Sequence, residues 1–143
     1  MFIFTIIMKP PTDIYELIYV STMAPTSPIS VVASIAAMSR KLNALKGITG
    51  MLIFDGLRFC QQFEGNQEDV LALFERISRD PRHDAVTLMY HGPLQARRFK
   101  SFSLAFTSAD DIEVLSRLEA LKGHTGLAAF SELLPTLDCE VAH

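Results

Sequence analysis

The sequence predicts an α+β sandwich, a mixed sheet of five strands with crossover helices packed on one side. Two observations carry that expectation. Strand-like and helix-like runs follow one another as strand, helix, strand, strand, helix, strand, strand, with the apolar period moving between two and about 3.6. Glycine, proline or a short polar segment stands at most of the changes.

Residues 14–21 (IYELIYVS) are rich in β-branched and aromatic side chains and read as the first strand. A loop containing Pro25 follows, and Ser27-Pro28 offers an N-cap and a first-turn proline for a helix. Ile35, Met38, Leu42 and Leu45 then recur at near-helical spacing until Gly47 stops the run. Residues 48–54 and 58–64 are two strand-like runs around Asp55-Gly56, a pair suited to a tight hairpin. After Gly65-Asn66, Gln67-Glu68-Asp69 opens a second helix with acid near its positive end. Val70, Leu71, Phe74 and Ile77 form its apolar face, and Pro81 closes it. Residues 85–90 and 100–107 read as two further strands, joined by a loop that holds Gly92 and Pro93. Residues 109–121 and about 127–134 read as short helices separated by Gly123 and Gly126. The order corresponds to a ferredoxin-like βαββαββ sandwich with two C-terminal helices available to cover the second sheet face. The expected divisions are an N-terminal extension or linker at 1–13, a domain at 14–107 and a C-terminal helical appendage at 108–143.

With 143 residues, about half of them apolar and 20% charged, the chain can bury a ligand without metal or disulfides to support it. A net charge of −3 gives no basic face for nucleic acid and no attraction to anionic membranes. The two cysteines, Cys60 and Cys139, stand in no metal-binding or redox pattern, so no metal site is expected, and free thiols in a reducing cytoplasm are the expectation. Residues 1–7 are apolar but shorter than the about 20 residues a membrane span needs, and Met8 is as good a start as Met1.

Strand parity places Tyr15, Leu17 and Tyr19 on one face of the first strand, and Phe59, Gln61 and Phe63 on one face of the third. Gln61 is thereby flanked by two phenylalanines, where an amide must find partners or cost a few kcal/mol. Asn43 sits near the end of the first helix, with Ser39 one turn before it on the same side. Taken singly, each has an ordinary explanation, as do Arg82-His83 as an exposed loop and Arg97-Arg98 as a solvated pair.

Their combination is specific. Leu17-Ile18-Tyr19-Val20-Ser21, Asn43, Gly47-Ile48-Thr49-Gly50-Met51-Leu52, Phe59-Cys60-Gln61-Gln62-Phe63-Glu64-Gly65, Asp80-Pro81-Arg82-His83 and Arg97-Arg98-Phe99 occur in that order. The set closely resembles the BLUF domains, sensors of blue light using flavin adenine dinucleotide, over residues 14–107. The resemblance implies a flavin ring between the two crossover helices. Tyr19 then matches the photochemical electron donor, and Gln61 the amide bridging that tyrosine and the flavin. Asn43 matches the residue holding the pyrimidine edge, with Ser39 supporting the network and Arg82 and His83 near the polar edge or the phosphate. FAD is the implied cofactor, with FMN and riboflavin sharing the reactive ring. No catalytic residue is implied, because the site is a switch and turns over no substrate.

The sequence departs from the family at the fifth strand, where a tryptophan and, two residues on, a methionine are common. Phe102 and Leu104 stand there with Ser103 between, and the chain has no tryptophan. These three residues are the expected signal relay, weakened by Leu104 if the methionine carries the signal. About 36 residues follow the fifth strand, so the signal is expected to pass to a separate protein or to a homo-oligomer. The alternatives are a light-insensitive interaction module on the same fold, and an acylphosphatase-like hydrolase. The latter needs an arginine in an early glycine-rich loop and is disfavoured because the loop after Ser21 has neither glycine nor arginine. An RNA-binding sandwich lacks the aromatic signature and the charge.

Overall fold

A computed structural model describes residues 14–24, 30–107 and 113–139, the side chains of Val31, Leu42, Asn43, Asp138 and Cys139 excepted. The expected cap at Ser27-Pro28, the extension 1–13 and the start of the helix expected at 109–121 lie outside the described residues. The elements are β1 (Ile14–Met23), α1 (Val31–Lys46), β2 (Thr49–Phe54), β3 (Arg58–Gly65), α2 (Gln67–Ser78), β4 (His83–Leu94), β5 (Phe102–Phe106), α3 (Val114–Glu119) and α4 (Gly123–Leu133). A turn of 3₁₀ helix (Leu134–Thr136) and a two-residue strand, β6 (Asp138–Cys139), follow.

The five expected strands assemble in the order β4-β1-β3-β2-β5, and β6 extends the sheet beyond β5. Strands β1, β3 and β4 pair antiparallel, as do β2 and β3, whereas β2 and β5 run parallel. That is the ferredoxin-like arrangement with an added strand. β6 carries no sequence signal because two residues are too few to show a period.

Local chemistry explains the joints. Asp55 Oδ1 accepts from the backbone N–H groups of Leu57 (2.9 Å) and Arg58 (2.6 Å), which closes the β2–β3 hairpin. Asn66 caps α2 by accepting from Glu68 N at 2.9 Å, with Glu68 and Asp69 in its first turn. Gly47 ends α1 with φ +67°, a left-handed conformation. Gly50 is required by contact: a Cβ there would stand 2.0 Å from Gln62 O of β3. Gly126, expected to separate two helices, instead lies inside α4, where a Cβ would stand 3.1 Å from Met89 Cε. It is a close-packing glycine, and α4 therefore begins earlier than its apolar period suggests.

The sheet is buried on both faces. Ile18, Val20, Met51, Ile53, Cys60, Met89 and Ala105 pack beneath α3 and α4 through Leu115, Leu118, Phe130 and Leu133. Leu52, Phe54, Phe59, Phe102 and Leu104 pack beneath α1 through Val32, Ile35 and Ala36, and Leu17, Tyr19 and Phe63 lie by Val70 of α2. Each fully buried Leu, Ile or Phe contributes about 1.5–3 kcal/mol. The expected apolar stripe on α1 is corrected: Met38 is 47% and Leu45 74% exposed, because close contact with the sheet runs only through the first turns. Leu71 of α2 likewise points outward. What separates the two helices farther along is a cavity.

Candidate functional site

The cavity, about 230 Å³, lies over β3 between α1 and α2. Ile35, Met38 and Ser39 line it from α1, and Leu73, Arg76 and Ile77 line it from α2. Gln61 of β3 borders it, and Asp80, Arg82 and His83 complete the lining. The volume is below the about 300–1,000 Å³ of drug-sized sites.

Tyr19 and Gln61 are directly paired on β1 and β3. The Tyr19 hydroxyl donates to Gln61 Oε1 at 2.6 Å, with Tyr19 0% and Gln61 2% exposed. This bond turns the amide so that its carbonyl serves the phenol. The same Gln61 side chain borders the cavity. Rings of Phe63, Phe74 and His83 surround Tyr19 at centroid distances of 6.1, 5.9 and 5.9 Å. Burial raises the Tyr19 phenol well above its ordinary pKa of 10, so the resting phenol keeps its proton.

His83 is buried at the other wall, its Nδ1 2.9 Å from Ser21 Oγ. Burial lowers its pKa to about 4, against the raising influence of the Asp80 carboxylate, so the imidazole is neutral near pH 7. Arg82, expected at a ligand's polar edge or phosphate, lines the cavity but is held by Asp80 in a two-pronged ion pair whose shortest arm is 2.5 Å. That hydrogen bond holds the Asp80 carboxyl below its ordinary range. Ser39 lines the cavity as well, whereas the Asn43 side chain lies outside the described residues, one helical turn beyond Ser39 on α1.

Sequence reasoning did not single out Arg76, and it quoted Asp80 only within the Asp80-Pro81-Arg82-His83 segment, without a role. Their signal was readable, because Leu73, Arg76, Ile77 and Asp80 follow the spacing of a single helix face. It also missed the polar cluster on the opposite sheet face. Glu16, Gln62 and Glu64 are all buried there, and Arg98 reaches Glu16 Oε1 at 2.7 Å and Oε2 at 3.1 Å. Glu64 accepts from the backbone of Arg98 and Phe99, each at 3.0 Å, and Gln62 Nε2 donates to both carboxylates. The expected solvated pair is thus corrected for Arg98, which fastens the segment before β5 to the sheet. Strand alternation carried the signal, three polar residues in register on an otherwise apolar face.

Among the described residues no group of His, Cys, Asp and Glu is placed to hold a metal, and no helix is long and apolar enough to cross a membrane. Cys60 is fully buried, which pushes its thiol up to about 12 and leaves it inert.

The structure is a ferredoxin-like sandwich with a cleft between its crossover helices, bordered by the amide of a buried phenol–amide pair. The chain belongs to the BLUF family, "Sensors of blue-light using FAD", whose profile matches residues 14–105. It is 30% identical over 101 residues to the blue light- and temperature-regulated antirepressor BluF of Escherichia coli (strain K12), a match covering 67% of this chain and 25% of that one. Among solved structures, the dark state of the BLUF protein BlrB superposes with a TM-score of 0.69 at 30% identity, over 86% of this chain and 96% of that chain. Klebsiella pneumoniae BlrP1 with FMN and cyclic diGMP gives 0.61 at 28% identity, over 91% of this chain and 32% of that chain. The chain thus spans a quarter of BluF and about a third of BlrP1.

Proposed function

We propose that this protein is a blue-light photoreceptor that holds a flavin without a covalent bond, and signals by rearranging the Tyr19–Gln61 hydrogen bond. The observation that carries this is the 2.6 Å bond itself, at the border of a cleft that fits a flat ring. The cleft suits a flavin chemically. Ile35, Met38, Leu73 and Ile77 match its apolar faces, while Asp80 can accept from an imide N–H and Arg76 can donate to a ring carbonyl. Ser39, Asn43, Arg82 and His83 are assigned to the same cofactor. FAD is the family's cofactor, and FMN and riboflavin carry the same ring.

When bound and lit by blue light, the flavin supplies an acceptor for one electron. Tyr19 is the donor that touches Gln61, and as it loses an electron its phenolic proton moves toward Gln61 Oε1. An amide that gains a proton on oxygen and gives one up from Nε2, or that simply turns over, exchanges donor for acceptor on both sides. Gln61 then settles in a second arrangement. In a site shielded from water, such a change alters the energetics of its neighbours. The relay proceeds through Phe102, Ser103 and Leu104. Leu104 is paired with Leu52, and Leu52 with Gln61, so one strand stands between switch and relay. The unit 14–107 holds the flavin and the appendage 108–143 carries the output to a separate protein or a homo-oligomer, within the cytoplasm. No nucleic acid or membrane takes part, and no substrate is turned over.

The test is a visible absorption spectrum of the purified protein in darkness and after blue light. A bound flavin band that moves slightly red and recovers in the dark is expected. A protein that fails to take up added flavin would contradict the reading and leave the light-insensitive interaction module, which Leu104 favours.

A further inference from the structure

We infer that Ser21 and His83 are a positioning pair for Tyr19: the serine hydroxyl locks the imidazole ring, and the locked ring holds the phenol against Gln61. The inference rests on the photoreceptor reading above and concerns residues that transfer neither the electron nor the proton.

Ser21 follows Tyr19 by two positions on β1 and shares its sheet face. It is 0% exposed, and its hydroxyl lies 2.9 Å from His83 Nδ1. A buried serine among aromatic rings is costly unless it is paired, and His83 is the side chain it pairs with. The imidazole stands edge-on to Tyr19, with centroids 5.9 Å apart and planes at 74°, and packs on Phe59 at 5.1 Å from its other side. Of the three rings around Tyr19, His83 alone carries polar atoms, so it is the wall whose orientation needs a hydrogen bond. The Ser21 contact engages Nδ1, the hydroxyl donating or accepting according to the tautomer, and leaves Nε2 as the remaining polar atom.

The charged and titratable groups around the ring explain why this orientation holds. Desolvation opposes the imidazolium and outweighs Asp80, which favours it, and Arg82 acts in the same direction as desolvation. Arg76 of α2 is a second cation lining the cavity, α1 contributes Ile35, Met38 and the hydroxyl of Ser39, and β1 contributes a protonated Tyr19. The ring therefore stays neutral beside a residue that must give up an electron, a step that an adjacent positive charge would oppose.

The test is Ser21→Ala in the flavin-loaded protein, read by dark recovery of the lit state at several pH values. Flavin binding and the red shift should persist, because Tyr19 and Gln61 are intact. Recovery should accelerate about fivefold, the factor matching about 1 kcal/mol for one hydrogen bond, since a loosened wall eases the return of phenol and amide. A ring freed to turn reaches the open cavity that His83 already borders, where desolvation no longer holds it neutral, so recovery should also become pH-dependent across about pH 5–8. Ser21→Thr, which restores the hydroxyl, should return both readouts toward the parent. A Ser21→Ala protein with unchanged or slower recovery and a flat pH profile would overturn the inference, as would a Ser21→Thr protein that behaves like Ser21→Ala. Nitrogen-15 resonances of His83 in the unmodified protein give a check independent of any variant. One neutral tautomer across that pH range is expected, and titration near the ordinary 6.5 would overturn it. A parent protein without a light-induced shift removes the photoreceptor reading and this inference together, whereas a normal shift with an unaffected Ser21→Ala removes only the pair.

Discussion

The Tyr19 hydroxyl donates to Gln61 Oε1 at 2.6 Å, between directly paired positions of adjacent strands, both residues almost wholly buried. The relationship orients the amide: its acceptor is committed to the phenol, and the same side chain borders the cleft.

Tyr19→Phe should therefore fold and bind flavin but abolish the light-induced red shift. Gln61 Oε1 would be left without its partner, at a cost of about 1–3 kcal/mol read by urea unfolding. Gln61→Leu should abolish the shift as well by removing the relay. An undiminished shift in Tyr19→Phe would refute the donor assignment.

Leu104 is paired with Leu52 beneath α1, two strands from Gln61. Leu104→Met conserves volume and should change stability by less than about 1.5 kcal/mol. Recovery rate should change, and so should the light-dependent hydrogen exchange of α3 and α4, because a flexible polarizable side chain enters the relay. Identical recovery and exchange in both proteins would remove Leu104 from the signal path.

His83 sets a pH dependence whose sign is fixed by burial. Its folded pKa of about 4 lies below the ordinary 6.5, so the unfolded chain binds more protons between those values and stability falls as pH falls. The contribution is complete above about pH 6.5, and on the order of 3 kcal/mol is lost by about pH 4. His83→Asn should remove this part of the slope in urea unfolding across that range. Parallel slopes for parent and variant would show that His83 is not the source.

Arg98 covers a carboxylate, Glu16, that is 1% exposed. Arg98→Ala should cost about 3 kcal/mol, because it leaves a buried charge without its cation. Arg97→Ala, losing hydrogen bonds to Thr49 Oγ1 and Glu64 O at the surface, should cost about 1 kcal/mol or less. Equal, small losses in the two would mean that water reaches Glu16.

Periodicity made most of the fold legible, because each of the five strands and both crossover helices buries a face and so shows a period. The pairing of Tyr19 with Gln61 was accessible through strand parity together with the resemblance that placed both residues. What stayed hidden lacked a local signal. Exposure of Met38 and Leu45 depends on a cavity between helices distant in sequence, and β6 is too short to display alternation. Arg98 is buried in function by Glu16, 82 residues away, so its neighbours in sequence carry no trace of the contact.

The most direct measurement is the light-minus-dark infrared difference spectrum of the flavin-loaded protein, with Gln61→Leu as control. A ring-carbonyl stretch that moves to lower frequency on illumination, recovers in darkness and is absent from Gln61→Leu is the expected result, since a strengthened hydrogen bond softens that stretch. An unmoved carbonyl, or loss of the visible flavin band as a covalent bond forms, would contradict a switch built on the Tyr19–Gln61 hydrogen bond.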